Sequence, residues 1–242
     1  QVTSRIATFH FAPTKVSRQN LLDEKVSDNQ IFVTGNTVID ALLSILENAR
    51  VDVFSDIILK RMPFLKQEKS NIPRIILVTG HRRENFGSGF EEICYTLRTI
   101  ANENPNIQII YPVHLNPNVK KPVYEILGDC PNITLIEPLD YPSFVWLMDR
   151  AKLIITDSGG VQEEAPSLGK PVLVMREKTE RIEGVQKGVV KLVGSNVKTI
   201  IKEANILISN KNEYNKMSKI NNPYGNGKAA EKIVKVMKDR FS

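Results

Sequence analysis

An α/β fold on a doubly wound parallel sheet is the architecture this sequence predicts, and three observations carry it. Short runs of β-branched and aliphatic residues recur through the middle of the chain. They are nearly continuously apolar, as strands covered on both faces must be. Helical segments alternate with them, and glycine- and charge-bearing loops close several of the runs.

In order, the strand candidates are residues 74–79 (RIILVT), 107–113 (IQIIYPV), 133–136 (ITLI), 153–156 (LIIT), 171–175 (PVLVM) and 189–193 (VVKLV). Helices are expected between them over residues 89–102, 117–127, 142–150 and 160–168. Six strands make a Rossmann-like domain over residues 69–210. Ahead of it, residues 6–12 and 31–33 read as short strands. Residues 14–23 read as a helix opened by a Thr cap, and residues 36–48 as a helix with Val38, Ala41, Leu42, Ile45 and Leu46 on one side. These pieces do not close a core of their own, so residues 1–68 read as the end of an earlier Rossmann-like domain plus a connection. Residues 66–73 (KQEKSNIP) serve as its linker. Residues 211–242 are expected to be helices packing back across the domains. Within them Ala229, Ala230, Ile233, Val234, Met237 and Phe241 form an apolar stripe, with lysines on the solvated side.

The composition narrows the function classes. Among 242 residues, 33 Lys plus Arg against 27 Asp plus Glu leave a formal charge of +6, with 41% hydrophobic and 25% charged residues. That is an ordinary folded domain rather than a disordered or disulfide-stapled chain. The basic charges are scattered without interleaved aromatics, which argues against nucleic acid. No apolar run approaches the roughly 18–20 residues of a membrane span. Two cysteines, Cys94 and Cys130, lack metal-ligand spacing, which fits a reduced, cytoplasmic chain. The chain opens at Gln1 in an ordered-looking segment, as an excerpt of a longer protein would.

Three loops carry chemistry. The strongest is residues 153–169 (LIITDSGGVQEEAPSLG), where a strand ends, two glycines follow and a helix begins. Such a turn lets backbone approach a ligand and aims free N–H groups and a partial positive charge at it. Ligands of open α/β sheets bind outside the carboxyl ends of strands, where this loop falls. Ser158 adds a hydroxyl for a phosphate oxygen. Glu164 either reaches ribose hydroxyls or complements the helix dipole, and Glu163 is assigned to the dipole. A serine-hydrolase reading fails, because a nucleophile elbow needs Gly where Thr156 stands.

The second loop, residues 79–87 (TGHRRENFG), places His81 and two arginines after the first sheet strand and suits an anion. It is neither a Walker A loop nor a dinucleotide fingerprint. A salt bridge from one arginine to Glu84 is expected. The third, residues 176–184 (REKTERIEG), puts Arg176, Lys178 and Arg181 on a loop at the same sheet edge. His114 follows the second strand at that edge, whereas His10 sits in an apolar run and reads as core. No cluster of His, Cys, Asp and Glu has metal-site spacing. Together the loops point to a phosphorylated ligand.

The segments GHRREN (80–85), DSGGVQEEAPSLGKPVLVMREKTER (157–181), TGNTVIDAL (34–42) and NPYGNG (222–227) resemble the non-hydrolysing UDP-N-acetylglucosamine 2-epimerases. The similarity spans essentially the whole chain. It implies the C-terminal half of a glycosyltransferase-B-like architecture and a homodimer. It also implies interconversion of UDP-GlcNAc and UDP-ManNAc for surface polysaccharide. The implied reaction eliminates UDP and adds it back on the other face, with no cofactor. By the same resemblance Ser158, Gly159 and Gly160 bind the diphosphate, Glu164 holds the ribose, and the backbone at Phe144 meets the uracil. His81 and Arg181 assist departure of UDP, while Arg82 and His114 match an allosteric site for a second UDP-GlcNAc.

Two departures stand out. The family pattern TERPE is TERIE here, with Ile182 in place of Pro, and AGT is replaced by Lys187-Gly188-Val189. The family's acid/base carboxylates belong to an N-terminal domain, so no proton-transfer base is assigned in this chain. A hydrolysing relative that releases UDP and ManNAc, and a non-catalytic UDP-sugar-binding module, are the alternatives. A nucleotide-sugar glycosyltransferase shares the architecture, but GHRREN argues against it.

Overall fold

The computed structural model describes residues 2–48, 59, 62–66, 74–82 and 87–241. Two units divide the chain, one formed by Gln1–Asn48 with Asn221–Ser242 and the other by Ala49–Ile220.

In the first unit, helix α1 (Val2–Ile6), strand β1 (His10–Ala12), helix α2 (Lys15–Asp23), strand β2 (Ile31–Val33) and helix α3 (Thr37–Asn48) follow in order. Thr14 caps α2 as predicted, its hydroxyl accepting the Ser17 N–H at 3.0 Å from an extended backbone. The strand expected over residues 6–12 is shorter. β1 pairs in parallel with β2 over three residues, His10 to Ala12 against Ile31 to Val33, and its partner offers no more. Residues ahead of that register coil into α1 instead. His10 is half-buried rather than core, although its Nε2 is buried. The apolar side of α3 centres on Ile39 and Leu42, both fully buried, while Ala41 is exposed.

The segments around Gly35 and Gly225 meet in this unit. Asn36 donates its N–H to the Tyr224 carbonyl at 2.7 Å, and Gly35, at φ +94°, lies where a Cβ would stand 3.3 Å from the Gly225 Cα. Asp40 accepts the N–H groups of Ala229 and Ala230 and so caps the C-terminal helix, Ala229–Phe241. The predicted stripe of that helix is only partly used. Ala229 is buried, but Val234, Met237 and Phe241 are exposed, because two short strands present little surface to cover.

In the second unit, six strands align in parallel: β3 (Arg74–Thr79), β4 (Ile107–Pro112), β5 (Ile133–Ile136), β6 (Leu153–Thr156), β7 (Val172–Val174) and β8 (Val190–Leu192). Their order is β5-β4-β3-β6-β7-β8, the doubly wound order of the Rossmann fold. All six lie on segments read from the sequence. Residues 75 to 78 of β3 are buried on both sides of the sheet, which explains the unbroken apolar run. Helices α4 (Ser88–Glu103), α5 (Pro117–Leu127), α6 (Tyr141–Arg150) and α7 (Gly159–Glu164) connect the first strands, with a 3-10 turn at Ala165–Leu168.

Helix α10 (Lys211–Ser218) lies in the tail expected to be helical, whereas α8 (Ile182–Lys187) and α9 (Val197–Ser209) are helices that the sequence reading does not include. α9 buries Ile200, Ala204 and Leu207, spaced four and three residues apart, in the core that Ile76, Val78, Leu97 and Ile109 share. That spacing was available in the sequence. Both cysteines are free and buried, and burial pushes the Cys94 thiol up to about 12.

Candidate functional site

The sheet reverses direction of growth at β3 and β6, which lie side by side while their successors run to opposite edges. Outside the carboxyl ends of such a pair lies the usual crevice for a ligand. The loops that follow β3 and β6 begin with Gly80-His81-Arg82 and Asp157-Ser158-Gly159, the two strongest signals of the sequence.

These loops are fastened to each other. The Thr79 and Thr156 hydroxyls share a 2.5 Å hydrogen bond, and Asp157 donates its N–H to the Thr79 carbonyl. The Asp157 side chain is fully buried, and its Oδ2 accepts the N–H groups of His81 at 2.9 Å and Arg82 at 2.8 Å. Tyr111, at the end of β4, donates its hydroxyl to the Gly80 carbonyl at 2.8 Å. A Cβ on Gly80 would stand 3.1 Å from that hydroxyl oxygen, so a larger residue there would crowd the bond. The His81 ring stacks on His114, centroids 5.5 Å apart and planes 14° from parallel. His114 is held from behind by the Asn116 N–H on its Nδ1.

Ser158 sits at the N-cap of α7, and its hydroxyl makes no cap hydrogen bond. It is therefore left for another acceptor or donor. The helix begins at Gly159, one residue earlier than predicted. A Cβ on Gly159 would stand 3.1 Å from the Arg181 Cζ, so the glycine lets that guanidinium pack closely on the turn. Arg181 donates from Nε to Glu163 at 2.9 Å, which gives Glu163 a partner the dipole reading did not foresee. Thr179 ties the same loop to α7 through Gln162 at 2.7 Å. Arg176 clamps Glu180 with two 3.2 Å hydrogen bonds and holds that carboxyl down at about 2. Ile182 is the first residue of α8, a position where Pro is favoured but not required. The helix forms without the Pro of the family pattern, and only residues 176–181 remain loop.

Glu164 is 5% exposed on α7 and accepts the Tyr141 hydroxyl at 2.5 Å on its Oε1. Burial, first, raises its pKa above the ordinary value, with the Tyr141 hydrogen bond opposing the shift. The same burial, then the Glu164 carboxylate, raises Tyr141. Phe144 lies one turn along α6 from Tyr141, and its own N–H is donated to the Asp140 carbonyl at 2.9 Å.

The structure thus joins His81 and Arg82 to the β6 loop through Asp157, stacks His114 on His81, and sets Arg181 on Gly159. The helix that carries Phe144 meets this loop through the Tyr141–Glu164 contact. Asp157, Tyr111, Tyr141 and Gln162 were not singled out from the sequence. Their signal was weak, since each gains its meaning from a partner 15 or more residues away. Arg83, Glu84 and Asn85 of the GHRREN segment lie outside the described residues, as do the expected Glu84 salt bridge and residues 67–73 of the linker. Among the described residues no three His, Cys, Asp or Glu side chains group as a metal would require. No described helix is long and apolar enough to cross a membrane.

Comparison with known proteins agrees with this geometry. The chain is 53% identical over 239 residues to the UDP-N-acetylglucosamine 2-epimerase of Escherichia coli O157:H7, covering 98% of this chain and 62% of that protein. It superposes at a TM-score of 0.90, with 44% identity, on the UDP-GlcNAc 2-epimerase from Neisseria meningitidis bound to UDP-GlcNAc, covering 98% of this chain and 63% of that one. The Methanocaldococcus jannaschii enzyme in complex with UDP-GlcNAc and UDP matches at 34% identity and a TM-score of 0.77, with coverages of 98% and 62%. This chain therefore spans a little under two thirds of the length of these relatives. The likeness puts its sheet in the glycosyltransferase-B-like class. A family model described as UDP-N-acetylglucosamine 2-epimerase matches residues 1–238, and the chain belongs to that family.

Proposed function

We propose that this chain supplies the UDP-binding half of an enzyme that interconverts UDP-GlcNAc and UDP-ManNAc by eliminating UDP and adding it back. One observation carries the reading. At the switch point of the sheet, one glycine turn carries the uncapped Ser158 hydroxyl, holds the His81 backbone through Asp157 and receives the Arg181 guanidinium over Gly159. The relatives captured with UDP-GlcNAc and UDP support the same ligand class.

In this reading Ser158, Gly159 and Gly160 hold the diphosphate, Glu164 takes the ribose hydroxyls, and the backbone around Phe144 meets the uracil. Breaking the anomeric bond leaves negative charge on the β-phosphate. His81, Arg181 and the backbone N–H groups at the start of α7 stabilise that charge as it develops, and so favour the transition state over the bound sugar nucleotide. Arg181 is held for this by Glu163, and its rigid fork matches phosphate oxygens. Removal of the sugar C2 proton needs a positioned base, which lies outside the residues assigned here. Arg82 and His114 belong to a second, allosteric UDP-GlcNAc site, and the His81–His114 stack supports coupling between the two. Homodimer formation, a cytoplasmic setting and a role in surface polysaccharide rest on the family resemblance. Sedimentation equilibrium tests the first of them.

Phosphorus and proton NMR of the chain with UDP-GlcNAc in deuterated water tests the reading. Broadened UDP resonances that sharpen in Ser158→Ala and Glu164→Gln support the site. UDP-ManNAc bearing deuterium at C2 demonstrates epimerisation, whereas accumulation of free UDP and ManNAc indicates a hydrolysing enzyme. A spectrum that neither broadens nor changes overturns the site assignment.

A further inference from the structure

The site reading gives His81 a role beside the diphosphate, and a ring in that role has to be held in one orientation and one tautomer. Resting on that reading, we propose that Asp157 is the positioning residue for the His81 imidazole, fixing its proton on Nδ1 and leaving Nε2 to face the ligand.

The geometry of the carboxylate carries the inference. Asp157 is fully buried at the end of β6, and its Oδ2 is occupied by the two backbone N–H groups of His81 and Arg82. Those two bonds fix the plane of the carboxylate, so Oδ1 has one direction in which to point. Among the described residues Oδ1 has no hydrogen-bond partner, although it is buried. Its neighbour is the His81 Nδ1, 3.5 Å away. A buried carboxylate oxygen without a donor is costly, and a protonated Nδ1 is the group within reach that relieves it. The separation is longer than a hydrogen bond. Hydrogen bonds of catalytic groups are often this loose until substrate closes the site. His114 covers one face of the ring, and with Nδ1 turned to Asp157 the remaining edge is Nε2; the side chain is 42% exposed.

The arrangement makes one substitution diagnostic. In Asp157→Asn the amide oxygen must stay on the two backbone N–H groups, because the NH2 end would oppose donor to donor. The NH2 then faces Nδ1 and donates to it, so Nδ1 gives up its proton and Nε2 acquires one. An Asp that only anchored the loop would leave the tautomer alone. The same substitution in a Ser-His-Asp triad keeps the geometry and reverses the tautomer.

The experiment is long-range proton–nitrogen NMR of the full chain labelled with 15N-histidine, at a pH where His81 is neutral. The chain has three histidines, and His81→Gln identifies the resonances of interest. The expected wild-type pattern is a protonated Nδ1 and an unprotonated Nε2, and in Asp157→Asn the two shifts exchange. A wild-type His81 carrying its proton on Nε2 overturns the proposal, even if Asp157→Asn fails to fold. A folded Asp157→Asn with the wild-type pattern overturns it as well. UDP titration of the wild-type chain separates this from the site reading. UDP binding with the wrong tautomer leaves the site standing and removes Asp157 from it. The expected tautomer without UDP binding upholds the Asp157–His81 coupling and removes the ligand.

Discussion

Replacing Tyr111 with Phe removes one oxygen atom from behind the site and nothing else. Tyr111 is 1% exposed, and its hydroxyl donates to the buried Gly80 carbonyl at 2.8 Å. Among the described residues that carbonyl has no other hydrogen-bond donor, so Phe leaves it desolvated and unpaired. Stranding a buried polar group costs about 1–3 kcal/mol. A carbonyl has two lone pairs and tolerates under-satisfaction better than an N–H, which favours the lower half, about 1–2 kcal/mol. For a protein of this size each kcal/mol lowers Tm by roughly 2–4 °C, so Tm falls by about 2–8 °C. The His81 loop is also held by the two N–H groups on Asp157, so UDP affinity drops only a few-fold. Circular-dichroism melts and a UDP titration measure both quantities. An unchanged Tm would refute the reasoning, since it would mean the Gly80 carbonyl is paired or hydrated without Tyr111.

Three other substitutions probe separate contacts. Glu164 holds its proton more tightly folded than unfolded, because burial raises its pKa above the ordinary 4.5. Wild-type stability therefore falls as pH rises from about 4.5 through the raised folded value, and Glu164→Gln lacks that slope. Above this window the variant melts higher, yet it binds UDP roughly 10-fold more weakly, as loss of a charged hydrogen-bond acceptor predicts; parallel Tm-versus-pH curves would contradict this. Gly159→Ala gains helix propensity of up to about 1 kcal/mol, while its Cβ pushes the Arg181 guanidinium off by a few tenths of an ångström from a 3.1 Å approach. Calorimetry should show UDP affinity down several-fold with Tm level or higher, and an undiminished affinity counts against Arg181 at the diphosphate. Asp40→Ala uncaps the C-terminal helix at a cost of about 1–2 kcal/mol. Hydrogen exchange then accelerates along Ala229–Phe241, and unchanged protection there would show that Asp40 is not the cap.

The strands and the glycine turn were legible because their signals are local. β3 and β6 are buried on both faces, so their sequences are short, nearly continuous apolar runs. The Ser158-Gly159-Gly160 turn declares itself by residue type, since Ser and Gly suit a strand that turns straight into a helix with a free N-terminus. Thr14 likewise announces α2 through a hydrogen bond three residues long. What the sequence misjudged depended on partners. The sequence predicts seven residues for β1, and the strand stops at three because β2 gives it three to pair with. The stripe of the C-terminal helix is apolar enough to bury, and much of it stays exposed because its own unit offers so small a face.

The site divides in the same way. Charge and loop position suggest His81, Ser158 and Arg181 as candidates, since each residue type carries its chemistry with it. Their mutual arrangement could not be read, because it rests on contacts across wide sequence gaps. Asp157 reaches back 76 residues to His81, Tyr111 reaches 31 to Gly80, and Arg181 reaches 18 to Glu163. An aspartate after a strand is an ordinary turn residue until the sheet order sets β3 beside β6. Local periodicity and residue chemistry, which the chain carries along its length, determined the elements and pointed to the candidate loops. The orientation of the histidine, the partner of the arginine and the buried oxygen behind them were decided by tertiary packing, because only the folded sheet brings those groups within hydrogen-bond distance.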